Sequence, residues 1–361
     1  VFGLLIGSFL NVVIYRVPRG ESIAYPGSHC GSCGAPVKAY DNIPLLSYVL
    51  LRGQCRACKA GISWVYPAVE LMTGLLFVAV AFKSGATLRA LFEMAFVAVI
   101  VTLVFIDARH KLLPNVITYP SLLVTLVAVA VLGWVESANN ASAFARYWSD
   151  EPSSMWTAIS ISALILAFAV PVYWGIDRLD NVLFGKYFEW DESEEQANAT
   201  DAEILQQRRH DRVVNITMIA GVIGGIAWVA VSLLSGSDAL TKLKIFAAYE
   251  ALLSAILGAF VGGGLIWLLR ALYFYTRGFE GMGLGDVKMM GFIGAFLGWR
   301  SAILVLIGGS ILGSVVGVIL ARRSKQGLKT ALPFGIFLGI SAILALFFGE
   351  PIIDWYFGML K

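Results

Sequence analysis

Long apolar runs broken by short polar punctuation dominate the chain, and the runs are too long for the helices of an ordinary water-soluble core. They cover 88–106, 116–135, 156–176, 213–234, 245–274, 301–320 and 331–348, each near the roughly 20 residues that cross a bilayer as α-helix. Shorter or flawed candidates are 1–17, 67–82 and 287–298. The pattern predicts an all-α polytopic membrane protein with about 8–10 transmembrane helices. Because the chain opens on Val1 inside an apolar run, 1–17 is expected to be a first helix lacking a few residues, not a cleaved signal peptide.

The polar segments divide the rest. Residues 18–66 contain every cysteine and are long enough for a small cytoplasmic domain. Residues 67–135 are expected to hold further transmembrane helices, 136–155 a periplasmic loop, 156–176 a helix, and 177–212 a charged cytoplasmic insertion. Within that insertion an acidic stretch from Glu189 to Glu203 precedes the basic Arg208–Arg212, and its apolar-poor middle predicts flexibility. Residues 213–349 read as the remaining helices and 350–361 as a C-terminal tail. Glycines crowd this second half, among them Gly258, Gly262, Gly294, Gly308 and Gly313. Small residues at helical spacing let membrane helices approach closely.

Composition agrees with this class: 58% of residues are hydrophobic, 14% are charged and the mean hydropathy is +0.77, whereas about a quarter of the residues in a soluble domain are charged. If the segment after Val17 is cytoplasmic, 17 of the 27 lysines and arginines fall in cytoplasmic loops, as the positive-inside rule requires. A net charge of +3 with no basic stripe on a soluble module argues against a nucleic-acid partner.

Against this background two carboxylates stand out. Asp107, in Ile106-Asp107-Ala108-Arg109, closes one apolar run, and Asp286, in Gly283-Leu284-Gly285-Asp286-Val287-Lys288, opens another. Ionisable groups at such positions are costly. Four expected crossings separate them, and an even number returns both to one membrane face. Two carboxylates in hydrogen-bonding reach share a proton, so that one draws a proton from water while the other donates to a peptide carbonyl or leaving nitrogen. Gly283 and Gly285 would let backbone or substrate approach and free the chain to turn. Taken singly, each residue has a plainer reading: Asp286 as an N-cap of a helix beginning at Val287, Asp107 as a solvated helix end paired with Arg109 or Lys111.

The cysteines form a second constellation. Cys30-x2-Cys33 and Cys55-x2-Cys58, with 21 residues between the pairs, have the spacing of two knuckles closing one tetrahedral site. Zinc is the expected ion, and four sulfurs leave no open position, so its role is structural. Two disulfides or four free thiols are the alternatives, the disulfides disfavoured in a cytoplasmic loop. Gly31, Gly34, Gly53 and Gly61 are expected to supply the turns.

Together, Gly7-Ser8-Phe9-Leu10-Asn11 through Arg16, the Ser28-His29-Cys30 knuckle, Asn42 through Tyr48, Leu51-Arg52-Gly53, Tyr66 through Leu71, Gly281 through Lys288, Gly294 through Gly298 and Pro333-Phe334-Gly335 resemble bacterial type IV prepilin leader peptidases. The resemblance implies a Gly-x-Gly-Asp membrane aspartyl protease of the bacterial inner membrane. Such an enzyme cleaves the leader of type IV prepilins and secretion pseudopilins after a glycine at the cytoplasmic face, then N-methylates the new N-terminus with S-adenosylmethionine. It places the catalytic pair at Asp107 and Asp286 and the metal ligands at Cys30, Cys33, Cys55 and Cys58. Glu70, beside the cysteine domain, is a candidate for the methylation step. Lys288, two residues beyond Asp286, would point to another helix face. Asn115 stands where the family commonly has an acid, and 136–155 and 177–212 are longer than the family's loops. The competing classes are an ion-coupled transporter, which would want its acids in mid-helix, and a non-enzymatic assembly scaffold, which would not need the aspartates. An archaeal flagellin-type protease is a third, and that branch generally lacks the cysteine module. The sequence leaves the oligomeric state open.

Overall fold

The computed structural model describes residues 1–137, 239–277, 282–323 and 333–359. The crossings expected at 156–176 and 213–234, the insertion 177–212 and nearly all of 136–155 lie outside the described residues. Among the described residues there are nine α-helices and no strand: α1 (Phe2–Arg16), α2 (Leu46–Leu50), α3 (Val65–Ser84), α4 (Leu88–His110), α5 (Asn115–Ser137), α6 (Ala239–Arg277), α7 (Leu284–Leu297), α8 (Trp299–Arg323) and α9 (Phe334–Met359). Seven described helical segments are long and apolar enough to cross a membrane, so the chain is a multi-pass membrane protein.

α7 is the exception that shapes one unit. Its 14 residues rise about 21 Å at 1.5 Å each, well short of a ~30 Å hydrocarbon core. Yet every residue from Asp286 to Ala295 is buried, so the apolar run at 287–298 is a short interior helix. α9 departs from expectation in the opposite direction. It continues through Pro351 to Met359, so most of the tail expected at 350–361 is helix. Pro351 forfeits one amide donor, but Ile352, Trp355, Tyr356 and Phe357 prolong its apolar surface, with aromatics of the kind that sit at membrane interfaces.

The chain divides into two compact units, Val1–Ile117 with Ile303–Lys361, and Thr118–Ala302. In the first, α1 runs antiparallel to α3 on a glycine seam: a Cβ at Gly3 would meet Phe77, and one at Gly7 would strike the Glu70 Cα at 2.7 Å. α4 starts at the Thr87 cap, whose side chain accepts from Ala90 N–H at 3.2 Å. A polar clamp ties α3, α4 and α9. Lys83 Nζ donates to Glu93 Oε1 at 2.9 Å and to the Leu346 carbonyl at 2.8 Å, and Ser84 Oγ bonds Glu93 Oε2. α8 meets α9 where Gly308 and Gly309 face Ser341 and Leu338.

In the second unit α6 and α7 are antiparallel and so close that a Cβ at Gly258 would collide with the Gly294 backbone, and one at Gly262 with the Met290 carbonyl. This is the close approach expected of small residues at helical spacing. Leu122 of α5 packs with Ala255, Ala259 and Ala295.

Candidate functional site

The cysteine module is two copies of one turn. Cys30 N–H bonds Ala35 O and Gly34 N–H bonds Cys30 O; 25 residues on, Cys55 N–H bonds Ala60 O and Lys59 N–H bonds Cys55 O. Gly34 and Lys59 both adopt the left-handed conformation, φ +69° and +62°. The second knuckle therefore turns on a lysine, and Gly61 is not the turn residue expected for it. Arg56 clasps Asp41 through Nε and Nη2 at 2.7 and 2.6 Å. All four Sγ atoms lie within 4.8 Å of one another, Cys30 and Cys58 at 3.8 Å. Four Zn–S bonds of about 2.3 Å in a tetrahedron set the sulfurs about 3.8 Å apart, whereas a disulfide needs about 2.05 Å. All four cysteines are free, so the donor set fits a bound metal and not the disulfide alternative. The amides of Ser32 and Cys33, aimed at Cys30, bring its thiol down to about 6, whereas the neighbouring sulfurs push the Cys58 thiol up to about 11; the close-set thiols thus share their protons unevenly.

Asp107 lies in the last turn of α4, 5% exposed. Arg109 and Lys111 are exposed, so the reading of a solvated, charge-paired helix end does not hold. α4 stops because Lys111 turns left-handed at φ +53°, its N–H still bonded to Asp107 O. The backbone amides of Gly335 and Ile336 hydrogen-bond the Asp107 carboxylate. These are the second and third residues of α9, whose first-turn N–H groups have no partner within their own helix. The carboxylate thus caps a helix some 230 residues away in sequence. Asp107 Oδ2 is buried without a hydrogen-bond partner among the described residues. An orphaned buried polar atom in a native fold calls for an explanation, and an absent reactant is one. In the sequence, Pro333-Phe334-Gly335 carries the family resemblance but no sign of a role beside Asp107. Pro just ahead of an apolar run was the available sign of a helix start.

Asp286, 8% exposed, occupies the third position of α7. The cap is Gly283, with extended backbone (φ −79°, ψ 154°) and no side-chain cap bond. Asp286 is therefore not the N-cap. Neither motif glycine needs a positive φ, since Gly285 is helical and Gly283 is extended. Arg270 Nε holds the approach to α7 through the Met282 carbonyl at 3.2 Å. Lys288 Nζ lies 5.3 Å from the Tyr119 ring centroid, which suits a cation–π contact. Glu70 sits in the second turn of α3, its Oε2 accepting Leu45 N–H at 2.8 Å.

A helical, multi-pass membrane protein with a four-thiol module outside its spans and buried carboxylates at helix ends is the class this architecture defines. Two family models match: the bacterial peptidase A24 N-terminal domain over residues 1–84, and the type IV leader peptidase family over residues 209–318. A prepilin leader peptidase/N-methyltransferase of Pseudomonas putida is 27% identical over 98% of this chain and 90% of its own length. The protein of that name from Aeromonas hydrophila is 28% identical over 99% and 91%, and that from Myxococcus xanthus is 47% identical over 37% and 40%. No solved structure matches. The chain belongs to the type IV leader peptidase family.

Proposed function

We propose that the chain is a membrane aspartyl endopeptidase that removes the leader of type IV prepilins and pseudopilins after a glycine at the cytoplasmic membrane face, then N-methylates the exposed amine. Asp107 and Asp286 act as the catalytic pair, one carboxylate taking a proton from the attacking water while the other donates to the peptide. The observation that carries this reading is Asp107, a buried carboxylate fixed by two backbone amides, with Oδ2 left unpartnered among the described residues. A mid-bilayer ion relay gives no reason for both acids to lie within a turn of helix ends. The substrate is an apolar helix with a basic leader, so lipid positions its scissile bond at the edge where both carboxylates are expected. Cys30, Cys33, Cys55 and Cys58 hold a structural zinc ion; S-adenosylmethionine supplies the methyl group.

The test is the mass of a prepilin N-terminus after incubation with the full chain in membranes and S-adenosylmethionine. Leader loss plus one methyl group is expected, and both are expected to vanish in Asp107→Asn and in Asp286→Asn. An uncut prepilin with folded wild-type protein overturns the reading. Elemental analysis should find one zinc per chain, and none when Cys55 and Cys58 are both serine.

A further inference from the structure

A cavity of about 960 Å3 lies in the first unit between the cysteine module and the adjoining ends of α1 and α3. Its helical wall follows from the glycine seam. Gly7 brings α1 against the backbone of Glu70, and one turn further Asn11 Nδ2 donates to the Tyr66 carbonyl at 3.0 Å. Tyr66 and Glu70 are themselves one turn apart on α3, so Asn11 and Glu70 share a wall. Neither is saturated. Glu70 spends Oε2 on Leu45 N–H, which holds Leu45 at its positive φ of 60°. Glu70 and Asn11 both line the cavity, and Glu70 Oε1 and Asn11 Oδ1 have no hydrogen-bond partner among the described residues, although Asn11 is only 7% exposed. Two unpaired acceptors in one wall, flanked by apolar Phe9, Val12 and Ile43, suit a cationic group rich in N–H donors at the end of an apolar chain.

Resting on the reading that this chain methylates a new N-terminal amine, we propose that this cavity is the methyl-transfer site, with Glu70 Oε1 and Asn11 Oδ1 holding the α-amino group and an adenosyl sulfonium donor filling the remaining space. The volume is at the upper end for one small ligand, enough for a donor and a peptide end. A charged, water-soluble donor cannot wait in hydrocarbon, and this cavity opens beside the polar module. Distance along the membrane normal is also favourable. Glu70 stands 14 residues before the end of α3 and Asp107 19 residues after the start of α4; joined by a short turn, the antiparallel pair places them about 8 Å apart in height at 1.5 Å per residue. The cut end needs little vertical travel. There the ammonium gives a proton to the Glu70 carboxylate, and the freed nitrogen pair forms the N–C bond as the C–S bond breaks. That bond's electrons return to sulfur, leaving a thioether and a methylated ammonium, and Glu70 passes its proton to water.

Glu70→Gln tests this, because the amide oxygen still accepts from Leu45 N–H. The full chain in nanodiscs is assayed for cleavage, for methylation of a pre-cut substrate, and for photolabelling by radioactive S-adenosylmethionine with the labelled peptide mapped. The expected result is methylation down at least 100-fold, leader removal within twofold of wild type, and label retained on residues 1–70. Wild-type methylation by Glu70→Gln, loss of cleavage and methylation together, or label mapping beyond α3 overturns the proposal. A wild-type chain that cuts but neither methylates nor takes label instead retires the methyltransferase reading, and this site with it.

Discussion

The two aspartates lie in differently built units. Asp107 lies in the last turn of a 23-residue helix long and apolar enough to cross a bilayer, and its carboxylate is held by amides borrowed from α9. Asp286 sits in the first turn of a 14-residue helix about two-thirds as long as a crossing needs, in a unit held by glycine-to-glycine contact with α6. One residue type at the same kind of position is therefore fixed by long-range capping in one unit and by helix-on-helix proximity in the other. The first arrangement is sensitive to the placing of two N–H groups, the second to a single added methyl group.

The most severe test removes the carboxylates themselves. Asparagine at either position keeps size and polarity but cannot carry the charge or pass the proton, so Asp107→Asn and Asp286→Asn should each lower leader cleavage by about 10³-fold or more. The readout is single-turnover cleavage by mass spectrometry, with folding followed by helical circular dichroism. If either variant keeps a tenth of wild-type activity, the two residues are not a catalytic pair.

Ile336→Pro separates the units more finely. Proline fits the first turn of a helix without strain, yet it deletes one of the two N–H groups that hold Asp107. A charge-assisted hydrogen bond is worth about 1.5–3 kcal/mol, so cleavage should fall roughly 10- to 100-fold while the thermal midpoint stays near wild type. No change in cleavage would mean that the α9 amides are incidental to Asp107.

Much of this was open to sequence reasoning, and what escaped it shares one cause. Paired cysteines and apolar runs are local signals, so the thiol cluster and the described crossings could be read from spacing alone. So could the position of both acids at the rims of apolar runs. The capping of Asp107 by Gly335 and Ile336 joins residues far apart in sequence, and nothing in either segment names the other. The apolar run of α7 fits a short buried helix as well as a short span, and only the surroundings distinguish them. The left-handed turn at Lys59 has no sequence signal, because glycine, the usual sign of that conformation, is absent.

A smaller effect is expected from the clamp at the opposite end of α4. Lys83→Met leaves the Glu93 carboxylate, 3% exposed, with the Ser84 hydroxyl but without its ammonium partner, and frees the Leu346 carbonyl of α9. Lys83 is itself partly exposed, so the destabilisation should stay at about 1–3 kcal/mol. Because α9 also carries the Asp107 amides, cleavage should fall with it, whereas contacts between α6 and α7 lie in the other unit and should be unaffected. A lower thermal midpoint with unchanged cleavage would show that α9 keeps its register without the clamp.

The finest comparison lies along one helix. On α6, Gly258 has no room for a methyl group, because a Cβ there meets the Gly294 backbone, whereas a Cβ at Gly264 has nothing within 4 Å. Backbone cannot move aside as a flexible side chain can, so Gly258→Ala must force α6 and α7 apart, at about 1–3 kcal/mol. It should reduce cleavage by shifting the helix that carries Asp286. Gly264→Ala meets no such barrier and should gain about 0.5–1 kcal/mol, since alanine loses less backbone freedom than glycine on forming a helix. Thermal midpoints of the two variants in the same detergent should therefore move in opposite directions from wild type. If both fall together, glycine is required along α6 for a reason other than contact with α7, and the contrast drawn between the two units loses its basis.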